Sequence, residues 1–367
     1  MILVIYNIAS HYRGPIFRLM DKELGCDFVA GDIVDDIKKM DYSTLTHKLT
    51  EVKNKQTILG IWQEGVPRMV RNDYDTYIVL GETRSLSTWA FLLRRKLFHP
   101  RKKVYLWSHG MLGDEGPLKR IGIKIFYSLC TGAFIYNQRS VRIMSQRGIP
   151  AKKLHTIYNS LDYDTHLQIR KILEPSDIYR IHFGNDYKCI VFIGRLTKVK
   201  RFDLLLDAIR LLKARGEFVN VTFIGDGVER QNMEKRVDEL GIRNQVWFYG
   251  ASYDEKKNAE LVFNADLCVS PGNIGLTAMH VLMFGCPAIT NDDFNHQMPE
   301  FEAIQDGKSG AFFKAGDSSS LADTISRWFA VHQNDRDEVR AACYNEIDTK
   351  WNPHIQIEIM KSVLNFQ

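Results

Sequence analysis

Residues 190–206 read IVFIGRLTKVKRFDLLL, and this stretch decides the fold of its half of the chain. Its apolar start is typical of a central strand in a parallel sheet. Gly194 permits a sharp exit from that strand, which lets Arg195 and Lys200 face an anion. From Phe202 onward the apolar residues recur at helical spacing, so a helix N-terminus, which favours negative charge, follows the loop. The stretch predicts a βα unit that holds a diphosphate, although an ordinary βα loop with solvated charges has the same pattern.

Further strand patterns follow, and each ends in a turn. Strands are predicted at 219–224, 246–249 and 267–270, with Gly225 and Gly227 in the first turn. Because helices alternate with these strands, we expect a parallel sheet whose ligand lies at the carboxyl ends of the strands. The N-terminal half repeats this logic less regularly, with strands expected at 1–6, 28–30, 76–80, 104–108, 132–136 and 154–157. The expected fold class is α/β, with two Rossmann-like domains facing a central cleft.

The motifs of the C-terminal half resemble those of the retaining glycosyltransferases of the GT-B fold, in particular glycosyltransferase family four. They are GRLTKVKRFDLLLDAI from Gly194, IGDGVER from Ile224, FYGA from Phe248, NADLCVSPGNIGLTAMHVLMFGCPAIT from Asn264 and PEFEAIQDGKSG from Pro299. The resemblance implies an acceptor-side Rossmann-like domain at 1–170 and a linker at 171–186. It also implies a nucleotide-sugar-binding domain at 187–335 and helices at 336–367 that return to the first domain.

The same resemblance implies roles for individual residues. Arg195 and Lys200 would act as catalytic cations on the donor diphosphate, and His109 would lie near the donor sugar. The family's two glutamates, with seven residues between them, correspond to Gly272 and His280, so the pair is absent and its roles are not transferred. The substrate-binding candidates are turn glycines and neighbouring side chains: Gly14, Gly194, Gly225, Gly227, Asn273, Gly275, Leu276, Thr277, His280, Glu300 and Glu302. A structural role remains open for His109, Gly14 and His280.

Metal chemistry is not expected from the sequence. No Asp-x-Asp motif stands at a predicted strand end, and the adjacent Asp292 and Asp293 are more typical of caps. No cofactor is expected, since the nucleotide-diphosphate sugar is a substrate. The six cysteines lack paired spacing, which favours core residues in a reducing compartment over disulfides or a zinc site.

Positive charge and apolar residues are combined in one region of the N-terminal half. The net charge is +5, and residues 94–103 include six cations: Arg94, Arg95, Lys96, Arg101, Lys102 and Lys103. A helical apolar repeat follows, interleaved with Lys119, Arg120 and Lys124; its members are Leu118, Ile121, Ile125 and Leu129. This pattern predicts contact with an anionic membrane surface, although a solvated helix face is the alternative.

The expected location is cytoplasmic and peripheral, on the inner membrane face. No apolar stretch reaches the roughly 20 residues that span a bilayer. Nucleic acid is the partner least favoured, because no base-reading motif or aromatic platform accompanies the charge.

The sequence therefore predicts a hexosyltransferase that uses a nucleotide-diphosphate-sugar donor and a glycan or polyprenyl-linked acceptor. The resemblance implies retention of configuration and a role in surface polysaccharide biosynthesis. Two alternatives remain: a sugar-nucleotide epimerase of GT-B fold, and a non-catalytic nucleotide-sugar-binding partner. Product formation without an acceptor would indicate the first, and absence of turnover would indicate the second.

Overall fold

A computed structural model describes residues 1–34, 37–71 and 73–365 and divides the chain into two compact units. Unit 1 comprises Met1–Asp162 together with Asn352–Gln367, and unit 2 comprises Tyr163–Trp351. This division differs from the predicted one at both boundaries. Residues 163–170 belong to unit 2 instead of the first domain, and residues 336–351 belong to unit 2 instead of the returning segment.

The helices and strands follow one another as alternating βα units. The strands are β1 (Ile2–Tyr6), β2 (Cys26–Gly31), β3 (Leu49–Val52), β4 (Asn54–Thr57), β5 (Gly60–Gln63), β6 (Thr76–Leu80), β7 (Lys103–Ser108), β8 (Gly132–Ile135), β9 (Leu154–Thr156), β10 (Lys188–Ile193), β11 (Val219–Ile224), β12 (Val246–Gly250), β13 (Leu267–Ser270), β14 (Ala288–Asn291) and β15 (Gly310–Phe313). The helices are α1 (Gly14–Leu24), α2 (Leu86–Phe98), α3 (Pro117–Ser128), α4 (Gln138–Gln146), α5 (Tyr163–Arg170), α6 (Ile178–Phe183), α7 (Phe202–Ala214), α8 (Arg230–Glu239), α9 (Glu255–Asn264), α10 (Thr277–Met283), α11 (Ser318–Val331), α12 (Arg336–Thr349) and α13 (Pro353–Leu364).

Unit 1 is built on a seven-stranded sheet in the order β3-β2-β1-β6-β7-β8-β9, and all of its pairings are parallel. Each residue of β1 is buried, as expected for a strand covered on both faces. On one face α1 packs beside α13, which contributes Ile357 and Met360 to the same core. Burial of these side chains fixes the C-terminal helix to unit 1.

Unit 2 has a six-stranded parallel sheet in the order β12-β11-β10-β13-β14-β15. The predicted strands at 190–193, 219–224, 246–249 and 267–270 are confirmed. Helix α7 buries the side chains that showed helical spacing in the sequence, including Phe202, Leu205 and Ile209. The predicted βα unit is thus confirmed, with its loop at residues 194–201.

Both sheets reverse their strand order once. In unit 1 the reversal lies between β1 and β6, and in unit 2 it lies between β10 and β13. In open α/β sheets the carboxyl ends of the strands at such a switch point form the usual ligand site. The fold therefore predicts ligand sites at the loops after β1, β6, β10 and β13.

The cysteines and the helix lengths bear on two further expectations. All six cysteines are buried and unbridged, which confirms their interpretation as core residues. Among the described residues, no helix combines the length and the apolar character needed to cross a membrane.

Candidate functional site

The switch point of unit 2 carries the two predicted cations. Arg195 follows the end of β10 and is exposed, and it forms no ion pair with any described residue. The Lys200 Nζ atom donates hydrogen bonds to the carbonyl oxygens of Asn273 (2.5 Å) and Ile274 (3.2 Å). Because these two carbonyls follow β13, Lys200 joins the loops on either side of the switch point.

Opposing effects set the pKa of Lys200. Burial lowers its pKa to about 8, and Arg195 acts in the same direction, whereas Cys268 and Glu300 oppose the shift. Arg195 and Lys200 are neighbouring cations with little compensating negative charge, so an anion bound between them would stabilise both charges. The local electrostatics therefore favour an anionic ligand.

Backbone contacts hold this loop in place. The Gly194 N–H donates to the carbonyl of Ile224, and the Leu196 N–H donates to that of Asp226, both at 2.9 Å. A side chain at Gly225 would collide with the Gly194 carbonyl, and one at Gly227 would collide with the Leu196 carbonyl. Close packing of the two loops explains both glycines. A donor contact at Gly194, Gly225 or Gly227 remains a prediction.

The loop after β13 and the first residue of α10 contain four of the predicted substrate-binding residues. The Asn273 side chain donates to the His296 carbonyl at 3.3 Å and accepts from the Met298 N–H at 3.4 Å. The Thr277 hydroxyl donates to the carbonyl of Ile193, the last residue of β10, at 3.0 Å. Gly275 and Leu276 lead directly into α10. These contacts make the loop a rigid neighbour of Lys200.

The two predicted glutamates share the helical turn at Pro299–Ala303. Glu300 is buried and lies close enough to influence the charge of Lys200, whereas Glu302 is only partly buried. The structure therefore brings Glu300 near Lys200.

His280 belongs to a cluster that the sequence did not reveal. Its Nε2 atom lies 2.5 Å from Glu255 Oε1, and His166 Nε2 lies 3.2 Å from the same oxygen. Although burial would raise it, hydrogen bonds from the two histidines hold the pKa of Glu255 well below its usual range. Since the three residues lie on α5, α9 and α10, no local spacing connects them in the sequence.

This cluster is also the group of described residues whose chemistry suits a metal ion. Two imidazole nitrogens and a carboxylate oxygen lie within 4.8 Å of one another. Such donors are those of His₂Glu zinc sites, although the present contacts are those of a hydrogen-bonded ion pair. The expectation that no metal takes part stays a prediction.

Unit 1 places His109 and Gly14 near its own switch point. His109 follows β7, and its ring centroid lies 4.9 Å from that of Tyr136. Burial, with a smaller contribution from Arg13, lowers the pKa of His109 to about 4, so the imidazole is neutral at neutral pH. Gly14 begins α1, where a side chain would meet only the flexible end of Arg18. The backbone therefore does not require glycine at position 14.

Two Rossmann-like units, one with a cationic loop at its switch point, define the GT-B class of fold. Residues 177–346 match the family model described as glycosyl transferases group 1. The match covers most of unit 2 and confirms the family resemblance.

Similarity to individual proteins agrees with this assignment. EpsD of Bacillus subtilis (strain 168), provisionally named a glycosyltransferase, is 28% identical over 150 residues, 40% of this chain and 38% of EpsD. The structure of Anabaena HepE with UDP covers 100% of both chains with a TM-score of 0.71 and 17% identity. The lipopolysaccharide outer core galactosyltransferase WaaB covers 99% of both chains with a TM-score of 0.71 and 16% identity. At these identities the two structures show a common GT-B fold.

The matches to curated relatives are partial. They span between 32% and 65% of the lengths of the first three, which include a protein from the cps region of Klebsiella pneumoniae. The match to the Klebsiella protein spans 266 residues at 23% identity, more than unit 2 contains, so sequence similarity also reaches part of unit 1.

Proposed function

We propose that this protein is a glycosyltransferase that moves a hexosyl group from a nucleotide-diphosphate sugar to a glycan or lipid-linked saccharide. The proposal includes retention of configuration and a role in surface polysaccharide biosynthesis. The observation that carries it is the pair Arg195 and Lys200 at the switch point of a unit that matches the group 1 family model. HepE structures with UDP and with UDP-glucose support a donor of this class.

The cation pair suits the chemistry of sugar transfer. When the glycosidic bond of the donor breaks, negative charge accumulates on the departing diphosphate. Arg195 forms no ion pair with the residues that the structure describes, and Lys200 is already fixed by two carbonyls, so neither needs to leave a described carboxylate to meet that charge. Preorganised cations of this kind stabilise the transition state more than the ground state.

His109 suits a different task. A neutral imidazole both donates and accepts hydrogen bonds, which matches the hydroxyl groups of a sugar. Its low pKa keeps it neutral, so it adds no positive charge near the reacting sugar. We assign it to positioning of the sugar, as the family resemblance implies.

The acceptor-side partner in this proposal includes an anionic membrane. Four of the six cations at 94–103 are exposed: Arg94, Lys96, Arg101 and Lys103. The other two are engaged within the protein, because Arg95 donates to the Lys102 carbonyl at 2.6 Å and Lys102 pairs with Asp75 at 3.2 Å. The predicted run of six is therefore corrected to four available charges.

Exposed apolar side chains accompany these charges. Helices α2 and α3 touch through Trp89 and Phe126, whose ring centroids lie 4.7 Å apart. On α3 the side chain of Leu118 is 84% exposed, whereas Leu129, predicted to share its stripe, is buried beyond the helix end. The exposed apolar residues of the two helices are Leu93, Leu97, Phe98, Leu118, Ile121 and Ile125. Apolar side chains flanked by lysine and arginine are suited to the headgroup region of a bilayer.

A donor screen tests the function directly. UDP-, GDP- and dTDP-sugars are added to the purified protein, and binding is read as a rise in melting temperature. The selected donor is then incubated with and without saccharide acceptors, and the products are identified by NMR. Transfer to an acceptor with an unchanged anomeric configuration supports the proposal. Epimerised sugar without acceptor supports the epimerase, and binding without turnover supports the non-catalytic partner.

A further inference from the structure

The guanidinium of Arg13 occupies an unusual position in unit 1. Arg13 lies in the loop after β1, beside the switch point, and only 6% of the residue is exposed. Its Cζ atom lies over four aromatic rings, at 5.2 Å from the centroid of Tyr6, 5.9 Å from Tyr12, 5.5 Å from Trp107 and 5.3 Å from Tyr136. Three of these rings come from the carboxyl ends of β1, β7 and β8, where a ligand of this sheet is expected.

This buried cation has no carboxylate partner. Among the residues that the structure describes, no acid lies within ion-pair distance of Arg13, although Glu82, after β6, acts electrostatically on neighbouring Tyr6. Two other poorly exposed arginines of the protein are paired: Arg147 with Glu115 at 2.6 Å, and Arg170 with Asp348 at 2.8 Å. A buried charge is normally paired because its desolvation is costly, and contacts with aromatic faces offset that cost only in part. A bound anion would therefore stabilise the buried charge of Arg13.

Two neighbours suit such an anion. His109 is neutral and can donate a hydrogen bond to it, because burial and Arg13 lower the pKa of this histidine. Ser10, whose carbonyl accepts from the Arg13 N–H at 3.0 Å, is fully buried, and its hydroxyl has no hydrogen-bond partner among the described residues. One turn of the chain thus contains a guanidinium without a carboxylate partner and a hydroxyl without a hydrogen-bond partner in the described part of the chain.

We infer that Arg13, with His109 and Ser10, binds a phosphate or carboxylate group of the acceptor, an inference that rests on the proposed function. The planar guanidinium fork matches both oxyanions and keeps its charge throughout the physiological pH range. The acceptor is then an acidic saccharide or a lipid phosphate-linked saccharide, and a neutral glycan lacks the recognised group.

The test measures binding of small anions while unit 2 is occupied. UDP, GDP or dTDP, whichever binds, is held at saturation so that Arg195 and Lys200 are engaged. Methyl phosphate, glucuronate and neutral methyl glucoside are then titrated by calorimetry. We expect one of the two anions to bind at least about tenfold more tightly than methyl glucoside, as for a charge-assisted hydrogen bond. Preference for methyl phosphate indicates a phosphate-linked acceptor, and preference for glucuronate indicates an acidic sugar.

Variants locate the anion. Arg13→Gln should reduce anion affinity about tenfold, and Arg13→Lys, which keeps the charge but not the fork, should lose less. Arg18→Gln is the matched control, because Arg18 is exposed on helix α1, which directly follows Arg13, and the change in net charge is identical. Equal anion affinity in folded Arg13→Gln and wild-type proteins would overturn the inference.

Two outcomes separate this inference from the proposed function. If the wild-type protein binds a nucleoside diphosphate but shows no preference for either anion, the inference fails and the proposed function stands. If none of the nucleoside diphosphates binds, the proposed function fails and the inference fails with it. The wild-type titration decides the matter even if Arg13→Gln does not fold.

Discussion

The Lys200 ammonium donates a hydrogen bond of 2.5 Å to the backbone carbonyl oxygen of Asn273. Lys200 belongs to the loop after β10, and Asn273 belongs to the loop after β13, so the bond connects the two strands at the switch point of unit 2. The backbone reinforces it, because the Gly272 N–H donates to the Lys200 carbonyl at 2.8 Å. The cation is consequently in position before a donor arrives, and little reorganisation is needed when charge develops on the diphosphate.

Removing either cation should slow turnover strongly. We expect Arg195→Ala and Lys200→Ala each to lower kcat/KM about 100-fold or more, the effect typical of losing one donor to a transition-state oxyanion. Steady-state kinetics with the donor selected by the binding screen provide the measurement. Lys198→Ala is the matched control, since Lys198 is an exposed cation of the same loop. Near-normal turnover in folded Arg195→Ala and Lys200→Ala proteins would remove both residues from the site.

The pH profile should report the ionisation of Lys200. The pKa of Lys200 is about 8, so in the free enzyme its ammonium group loses its charge as the pH rises through 8. We therefore expect kcat/KM for the donor to fall above pH 8. A bound diphosphate stabilises the ammonium and raises its pKa, so kcat should decline only at higher pH.

Lys200→Arg provides the control for that profile. Guanidinium remains charged throughout the accessible range, so the alkaline decline in kcat/KM should disappear even if the maximum rate is lower. A decline that persists unchanged near pH 8 in this variant would mean that another group titrates there.

The cationic loop was predictable because its parts are close in sequence. An apolar strand, a glycine, two cations and an amphipathic helix lie within 190–206, and parallel strands bury both faces, so the pattern indicates the βα unit and its loop. The ring of aromatic side chains around Arg13 was not predictable, since three of its four members come from strands that meet only in the folded sheet. The same holds for His166, Glu255 and His280, which lie on separate helices.

Helix α3 shows that spacing alone does not reveal which apolar residues of a helix meet the core. The sequence pattern selected Leu118, Ile121 and Ile125 for membrane contact, and these side chains are exposed, whereas the core-facing residues are Ile123, Phe126 and Tyr127. Apolar residues surround much of this helix, and spacing alone does not show which stripe meets the sheet. Exposure of apolar side chains to water is unfavourable, so the exposed stripe of α3 supports the membrane proposal.

The histidine cluster should affect donor binding more than the chemical step. His280→Ala removes one of two imidazoles bound to Glu255, at the position where the family has a glutamate. We expect calorimetry to show weaker donor binding while kcat changes little. His332→Ala is the control, because it removes an imidazole from another close pair in unit 2, His332 with Asp335 at 2.7 Å. Unchanged donor affinity in a folded His280→Ala protein would leave His280 with a structural role alone.

Glu255 should also contribute to stability in a pH-dependent way. Its pKa is lower in the folded state than in the unfolded chain, so its contribution is present at neutral pH and is lost as the pH falls through the acid range. Glu255→Gln should lower the free energy of unfolding at pH 7 by about 1–2 kcal/mol, a modest value because the side chain is partly exposed. Urea unfolding at pH 7, pH 4 and pH 2 provides the measurement, and the loss should persist at pH 4 and shrink at pH 2, because the folded-state pKa lies well below the usual range. A loss at pH 2 as large as at pH 7 would contradict this assignment.

Membrane attachment should depend on both the charges and the apolar side chains of unit 1. We expect the wild-type protein to sediment with vesicles of phosphatidylglycerol and phosphatidylethanolamine, and not with phosphatidylcholine alone. Each exposed cation near an anionic leaflet contributes about 1 kcal/mol, and salt weakens this attraction. Replacing Arg94, Lys96, Arg101 and Lys103 with glutamine should therefore release the protein at moderate salt.

The apolar part is tested separately, with serine at Leu97, Phe98, Leu118 and Ile121. These side chains are at least half exposed, so their replacement should leave the fold intact while it weakens binding to the same vesicles. Serine at Ile172 and Ile181, two exposed isoleucines of unit 2, is the matched control and should not alter sedimentation. Charge and apolar contact act together if both sets of unit 1 variants are released and the control is retained. A wild-type protein that does not distinguish anionic from neutral vesicles would contradict the membrane proposal, because four exposed cations would then contribute nothing to binding.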